Sequence, residues 1–250
     1  MTQSHQWTGA GRTETGHVRA SNQDALALLN DCGVWMVADG MGGHPAGDVA
    51  AYTAIAVATE RARERAAWLR EHSGAAAEFM ADLVTSANRQ IHELILAKPS
   101  LKGMGTTLVA LAMTSSPTSV AHIAHLGDSR AYLYRTGQLK QLTRDHTLVE
   151  KFVQRGLIDT ATALTHPERH ILTKGLGMGA DMQPDLTSTP VAQNDLIVLC
   201  SDGLTKMLED TAIASVLARA NGDPHRACDE LVEQALNRGG EDNVTVIVVA

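Results

Sequence analysis

The 250-residue chain is expected to fold as an α+β protein in which antiparallel sheets are layered with helices. Three observations carry that expectation. Short, β-branched apolar runs recur along the sequence, of the length and composition of buried strands. Long helical segments come in pairs between groups of strands, whereas a doubly wound parallel sheet would alternate single helices with single strands. A turn signal, Thr136-Gly137, joins two candidate strands directly, which only an antiparallel pair allows. No Pro/Ser-rich linker, charge block or internal repeat divides the sequence, so residues 1–250 are expected to form one domain.

The first apolar run is 34–38, ending at Asp39-Gly40. An Ala-rich helix is expected over 46–65, with Pro45 near its first turn, where a missing N–H costs little. Phe79, Leu83, Ala87, Ile91 and Ile95 recur every four residues and form one apolar stripe on a helix over 75–97. Strands follow at 108–113 and Val120–Leu126, the latter running into Gly127-Asp128. A hairpin is expected from 131–134 through Thr136-Gly137 to 138–142. Residues 147–179 differ. Leu148, Val149, Phe152 and Val153 form one short amphipathic turn set, and the loop-like Thr165-His166-Pro167 comes after it; the segment reads as a surface excursion with the makings of a lid. Leu196–Cys200 is a strand ending at Ser201-Asp202-Gly203, a short helix is expected over 211–220, and Asp223 before Pro224 caps a helix through Leu231, Val232 and Ala235. Val244–Val249 closes the series.

Composition excludes several functions. Lys and Arg total 21 against 28 Asp and Glu, a net charge of −7, which argues against nucleic acid or an anionic membrane as partner. No stretch approaches the roughly 20 apolar residues of a membrane helix, and Met1 to Thr8 has no apolar signal core. Cys32, Cys200 and Cys228 form no CxxC pair, so a disulfide framework or thiolate zinc site is not expected and the cytoplasm is. Aromatic residues make up only 3%, too few for base-stacking platforms.

Three apolar runs end at a carboxylate beside Gly, and Asp242-Asn243 opens a fourth strand. Strand ends converge at a sheet rim, so Asp39, Asp128, Asp202 and Asp242 are candidates for one cluster. Clustered carboxylates shift one another's pKa values unless cations neutralise them, and oxygen-only ligands suit Mg²⁺ or Mn²⁺. Two such ions about 3.5–4 Å apart can activate a water and hold a phosphoryl group. The competing reading is that Asp-Gly is ordinary turn chemistry, and any one of the pairs alone is better explained that way.

Taken in order, the motifs resemble a family. Gly16-His17-Val18-Arg19-Ala20-Ser21-Asn22-Gln23-Asp24 resembles G-x-x-R-x-x-N-x-D, and Val37-Ala38-Asp39-Gly40-Met41-Gly42-Gly43-His44 resembles a metal-binding signature. Gly103-Met104-Gly105-Thr106-Thr107, Gly127-Asp128-Ser129-Arg130, Leu142-Thr143-Arg144-Asp145-His146, Ser201-Asp202-Gly203-Leu204 and Glu241-Asp242-Asn243-Val244-Thr245 follow in sequence. The chain is similar over nearly its whole length to metal-dependent serine/threonine protein phosphatases of the protein phosphatase 2C (PP2C, or PPM) type, in their compact bacterial form.

That resemblance implies an α-β-β-α sandwich of two antiparallel sheets flanked by helix pairs, with a binuclear Mn²⁺ or Mg²⁺ centre at the sheet edges. It implies that Asp39 bridges the metals, that Gly40 offers its carbonyl, and that Asp202 and Asp242 bind the same pair. By the same pattern Asp24 holds metal-bound water, Asp128 with Asp202 takes a third, weaker metal, and Arg19 grips the substrate phosphate. The implied reaction is attack of a metal-bridging hydroxide on phosphoserine or phosphothreonine in proteins, opposing a Ser/Thr kinase, by a protein expected to be monomeric. Where many relatives carry His after Asp-Gly this chain has Met41, which leaves His44 as the candidate acid for the leaving group. Lys174 stands where Arg is more usual at the end of the family's flap, which bears on substrate preference and not on the chemistry.

The rivals are weaker. Cys200 is followed six positions later by Lys206, so C-x5-R is absent and a cysteine phosphatase is not expected. His122 and His125 are three apart on a strand and face opposite ways. The glycines at 175, 177 and 179 lack the strand and helix of a dinucleotide site, there is no P-loop, and His166 and His170 read as solvent-facing. A small-molecule phosphoesterase could use the same metal centre. A non-catalytic phosphoprotein-binding relative should have lost a metal carboxylate, and Asp39, Asp202 and Asp242 are all present.

Overall fold

A computed structural model describes residues 6–41, 46–115 and 118–250. In chain order the elements are strands β1 (Gly9–Glu14), β2 (Asp24–Leu29) and β3 (Val34–Met41), and helices α1 (Gly47–Glu71) and α2 (Ala76–Ala97). Strands β4 (Gly105–Thr106), β5 (Leu108–Thr114), β6 (Val120–Leu126), β7 (Arg130–Arg135) and β8 (Gln138–Gln141) follow, then helices α3 (Leu148–Gln154) and α4 (Thr160–Thr165). The chain ends with β9 (Asp185–Pro190), β10 (Leu196–Cys200), α5 (Asp202–Thr205), α6 (Asp210–Ala220), α7 (Pro224–Asn237) and β11 (Val244–Val249).

Two antiparallel sheets result. One has the order β1-β11-β10-β7-β8; the other runs β2-β3-β5-β6-β9, with β4 paired to β3. The expected α-β-β-α sandwich is what forms, because the central strands alternate between two apolar layers. Along β3, Val34, Met36 and Ala38 pack under α1 and α2, while Trp35 and Val37 face the layer between the sheets. Along β10, Leu196, Val198 and Cys200 pack toward α6 and α7, while Ile197 and Leu199 face the inter-sheet layer. Strands buried on both faces lose the polar alternation of a half-exposed strand, which is why these segments read as continuous apolar runs.

The helices follow their sequence signals. The stripe on α2 buries Phe79, Leu83, Ala87 and Ile91. The side chain of Asp223 caps α7 by accepting from the amides of His225 and Arg226. Thr136 and Gly137 both take positive φ, as the β7–β8 turn requires. Pro45 lies outside the described residues. No helix among the described residues is long and apolar enough to cross a membrane.

Besides the short β4 and α5, four elements were not expected. β1 is Gly- and charge-bearing, β2 is built from Ala and Leu, and β9 is a polar edge strand ending at Pro190. α4 sits within the 147–179 excursion, capped by Asp159, whose carboxylate accepts from the amide of Thr162. The excursion is pinned at its base, where the Leu148 amide donates to Ile171 O, the Thr173 amide to His146 O, and Thr106 and Leu176 exchange backbone hydrogen bonds.

Candidate active site

The inward alternation of the strands continues past their apolar residues and turns polar at one end of the inter-sheet layer. Asp39 follows Trp35 and Val37 on β3, and Asp24 is its register partner on β2, so the two carboxylates share one face. Ser201 follows Ile197 and Leu199, and Thr245 precedes Ile247 and Val249. Both reach across the layer: the Ser201 and Thr245 hydroxyls donate to Asp24 Oδ2 at 2.8 and 2.6 Å. Thr245 Oγ1 is therefore free to accept from Thr13 Oγ1 at 2.7 Å, and Thr13 accepts from the Asn22 amide nitrogen. Asp24 is buried and held by one oxygen only.

The two strand-end glycines are not turn residues. Gly40 lies within β3 and Gly203 within α5. A Cβ on Gly40 would lie 2.3 Å from Gly47 O, and one on Gly203 2.0 Å from Asn243 O, so each glycine is there for close backbone approach. Gly127 to Ser129 carry the chain from one sheet to the other and bring Asp128 to the same end.

Arg19, Asp39, Gly40, Asp128, Asp202 and Asp242 line one open cavity of about 530 Å³, with Asp24 buried behind Asp39. The structure thus gathers every sequence-selected site residue that it describes. His44 lies outside the described residues. Arg19 is held in a loop that Asn243 ties down: its side-chain nitrogen donates to Thr15 O and Ser21 O, and its oxygen accepts from the Gln23 amide. The Arg19 guanidinium makes a two-pronged contact with Asp242, Nε to Oδ1 at 2.7 Å and Nη2 to Oδ2 at 2.9 Å.

Sequence reasoning missed Lys206, whose Nζ lies 2.6 Å from Asp202 Oδ2 and 2.8 Å from Asp242 Oδ2. Its position four residues after Asp202 was the available signal. It also left His170 as solvent-facing; His170 is exposed yet lines the cavity. The roles of Ser201, Thr245 and Asn243 were legible only as polar residues at inward positions of apolar strands.

The electrostatics follow from burial and crowding. Burial pushes Asp24 up to about 6 against the pull of its two hydroxyl partners, with Asp202 and Asp242 adding repulsion. Asp39 is raised well above the carboxylate range by burial and by Asp24, Asp202, Asp128 and Asp242. Burial, with Asp202 and Asp145, brings Asp128 to about 8, opposed by Lys206. Asp242 moves the other way: burial raises it, but Lys206 and Arg19 together carry it below its ordinary value.

The donor set fits hard divalent cations. It is made of oxygens, and the Oδ1 atoms of Asp24 and Asp202 are buried without a hydrogen-bond partner. Among the described residues no three His, Cys, Asp or Glu side chains already close into a coordination sphere, and the carboxylates of Asp202 and Asp242 are turned toward Lys206 and Arg19. The discarded alternatives stay discarded. Cys200 is buried with its thiol pushed up to about 12 by burial, and His122 and His125 bond different partners, Thr114 and Ser188 against Arg144 O.

The sequence profile of protein phosphatase 2C matches residues 12–238. The chain belongs to the protein phosphatase 2C family. It is 35% identical over 241 residues to the serine/threonine phosphatase Stp of Listeria monocytogenes, covering 95% of this chain and 93% of that relative. The solved structure of the Mycobacterium tuberculosis serine/threonine phosphatase PstP/Ppp superposes with a TM-score of 0.87 at 34% identity, covering 97% of both chains. The catalytic domain of PstP in complex with two manganese ions gives 0.84 at 33% identity over the same shares. Across this protein phosphatase 2C fold the carboxylate cluster occupies the open end of the layer between the sheets.

Proposed function

We propose that this protein is a metal-dependent serine/threonine protein phosphatase that removes phosphate from phosphoserine and phosphothreonine in proteins, opposing a Ser/Thr kinase. The observation that carries the proposal is the convergence of four carboxylates and one fork-shaped cation on a single open cavity, with a fifth carboxylate, Asp24, buried beside Asp39, in a protein phosphatase 2C fold. Asp39, the Gly40 carbonyl, Asp202 and Asp242 would hold two Mn²⁺ or Mg²⁺ ions. Such ions, when bound, lower the pKa of water and offset negative charge on phosphoryl oxygens.

The chain's own residues supply the rest. Arg19 spans the two oxygens of Asp242 with two N–H groups, and the same fork spans two oxygens of a phosphate. Asp24, held through Oδ2, keeps Oδ1 for a proton or a water at the site. For the proton that the leaving serine or threonine oxygen needs, His44 remains the candidate. A second cavity of about 580 Å³ runs from Asp128, Asp202 and Asp242 to Val149, Val153 and Leu164 of the excursion. That continuity supports residues 147–179 as a flap beside a polypeptide substrate, within one catalytic domain. The free thiols of Cys200 and Cys228 support a reducing compartment, the cytoplasm, and we expect a monomer there.

The test is phosphate release from a phosphothreonine peptide with Mn²⁺, with chelator, and with Asp39→Asn in Mn²⁺. Release is expected only from the first mixture; equal release from all three would refute the metal mechanism.

A further inference from the structure

We infer that Lys206 is a built-in cation of this site, which withholds Asp202 from a third divalent ion and so fixes the metal count at two. The inference rests on the metal-phosphatase reading above and concerns how this chain departs from the wider pattern of its family.

Lys206 is not a surface lysine that happens to find an acid. It directly follows the four-residue α5, and its amide donates to Asp202 O, which folds the side chain back along Asp202. Its ammonium then reaches Asp242, 36 residues further on, so two carboxylates from different elements share it. Only a quarter of the side chain is exposed. The cavity's other cation, Arg19, is committed to Asp242, and no ion pair reaches Asp39 or Asp128 among the described residues.

The oxygens decide what is left for metal. A divalent ion needs a carboxylate oxygen at about 2.0–2.6 Å. Asp202 Oδ2 is occupied by Lys206, and Asp202 Oδ1 is its buried, unpartnered atom. One free oxygen can serve the central pair of ions. A third ion would be left with Asp128 alone. Charge points the same way. Five carboxylates against Arg19 and Lys206 leave −3, which two divalent ions bring to +1 and a third would carry to +3. A tethered ammonium supplies part of what a third ion would supply, and it does not depend on metal concentration.

The experiment counts bound Mn²⁺ on the full-length protein by calorimetric titration and by the electron paramagnetic resonance signal of unbound Mn²⁺, at fixed ionic strength. The chains compared are wild type, Lys206→Gln, Lys206→Arg and the double variant Lys206→Gln/Asp128→Asn. Wild type and Lys206→Arg should take two ions. Lys206→Gln should take a third, at least about tenfold tighter than any further binding to wild type, and the double variant should return to two. An unchanged count in Lys206→Gln, or a third ion already on wild type, overturns the inference while leaving the phosphatase reading intact. Wild type that takes up no Mn²⁺ would instead overturn the metal-centre reading beneath it. Lys206→Arg keeps the charge, so it separates loss of the cation from loss of folding.

Discussion

Asp39→Asn should stabilise the metal-free protein while abolishing its activity. The Asp39 carboxyl faces Asp24 in register and feels Asp128, Asp202 and Asp242, and among the described residues no ion pair or hydrogen-bond donor reaches it directly. Asn keeps the shape and removes the charge. A buried charged group left without a partner costs at least about 1–3 kcal/mol. A chain of this size shifts by about 2–4 °C per kcal/mol, so the variant should melt about 2–12 °C higher than wild type in chelator. The gain should depend on pH. Because the folded-state pKa of Asp39 is raised, the folded chain holds a proton that the unfolded chain has lost; wild-type stability therefore falls as pH climbs out of the ordinary carboxylate range, and the advantage of Asn grows.

Mn²⁺ should reverse the order. At about 100 times the dissociation constant, a ligand that binds only the folded state adds about 2.7 kcal/mol, roughly 5–11 °C here. The variant lacks the carboxylate proposed to be shared by both ions, so its Mn²⁺ response should shrink toward zero. Scanning calorimetry at pH 8, in chelator and across a Mn²⁺ series, measures both quantities. A wild-type melt indifferent to Mn²⁺, or a variant that melts lower than wild type in chelator, would refute the reasoning.

Asp128→Asn in chelator should match wild type near pH 4, gain stability steadily up to about pH 8, and level off above it, because Asp128 titrates near 8 in the folded protein; melts at a series of pH values test the shape of that curve. Arg19→Lys keeps the charge but loses the fork, and should lower kcat/KM on a phosphopeptide about 10- to 150-fold, the worth of one charged hydrogen bond of about 1.5–3 kcal/mol; a change under twofold would remove Arg19 from phosphate binding. Thr245→Val keeps the shape but takes one of two hydroxyls from Asp24, and should weaken Mn²⁺ activation by about 10- to 100-fold with little change in secondary structure; a Mn²⁺ titration of peptide hydrolysis at wild-type midpoint would show that the contact is only structural.

The strands buried on both faces were legible because burial writes itself into composition: β3, β6, β10 and β11 are runs of Val, Ile, Leu and Met broken by few polar residues. The strands that escaped notice carry other signals. β1 owes its place to backbone pairing with β11 along its whole length, and its Gly9-Ala10-Gly11 opening has little side chain to report that. β2 is Ala and Leu, residues that favour helices, and it becomes a strand because β3 offers it an edge. The carboxylates were found by repetition of one strand-end junction and by motif order. Lys206 was not, since half of its meaning lies in Asp242, 36 residues away and met only once the strands are aligned. Helical spacing announces one partner of a side chain and is silent about a second on another element.

That lysine changes the meaning of the net charge. From sequence, setting aside Asp24, Asp39, Asp128, Asp202 and Asp242 leaves 21 basic residues facing 23 acidic ones, a nearly balanced remainder of −2, and assigns most of the −7 to the site. The structure places two cations inside that site, Arg19 and Lys206. The cluster therefore has a formal charge of −3, and the rest of the chain, with 19 basic residues against 23 acidic, one of −4. Surface and site each hold a share of the acidity. The surface share remains when metal binds and argues for solubility. The formal site share, counted with all five carboxylates ionised, would change sign from −3 to +1 on loading two divalent ions, which favours a dianionic phosphate. An ion held by Asp242 would compete for the oxygens that Arg19 now spans and would free the guanidinium for a phosphate. Metal loading and phosphate recognition would thus be coupled through one carboxylate.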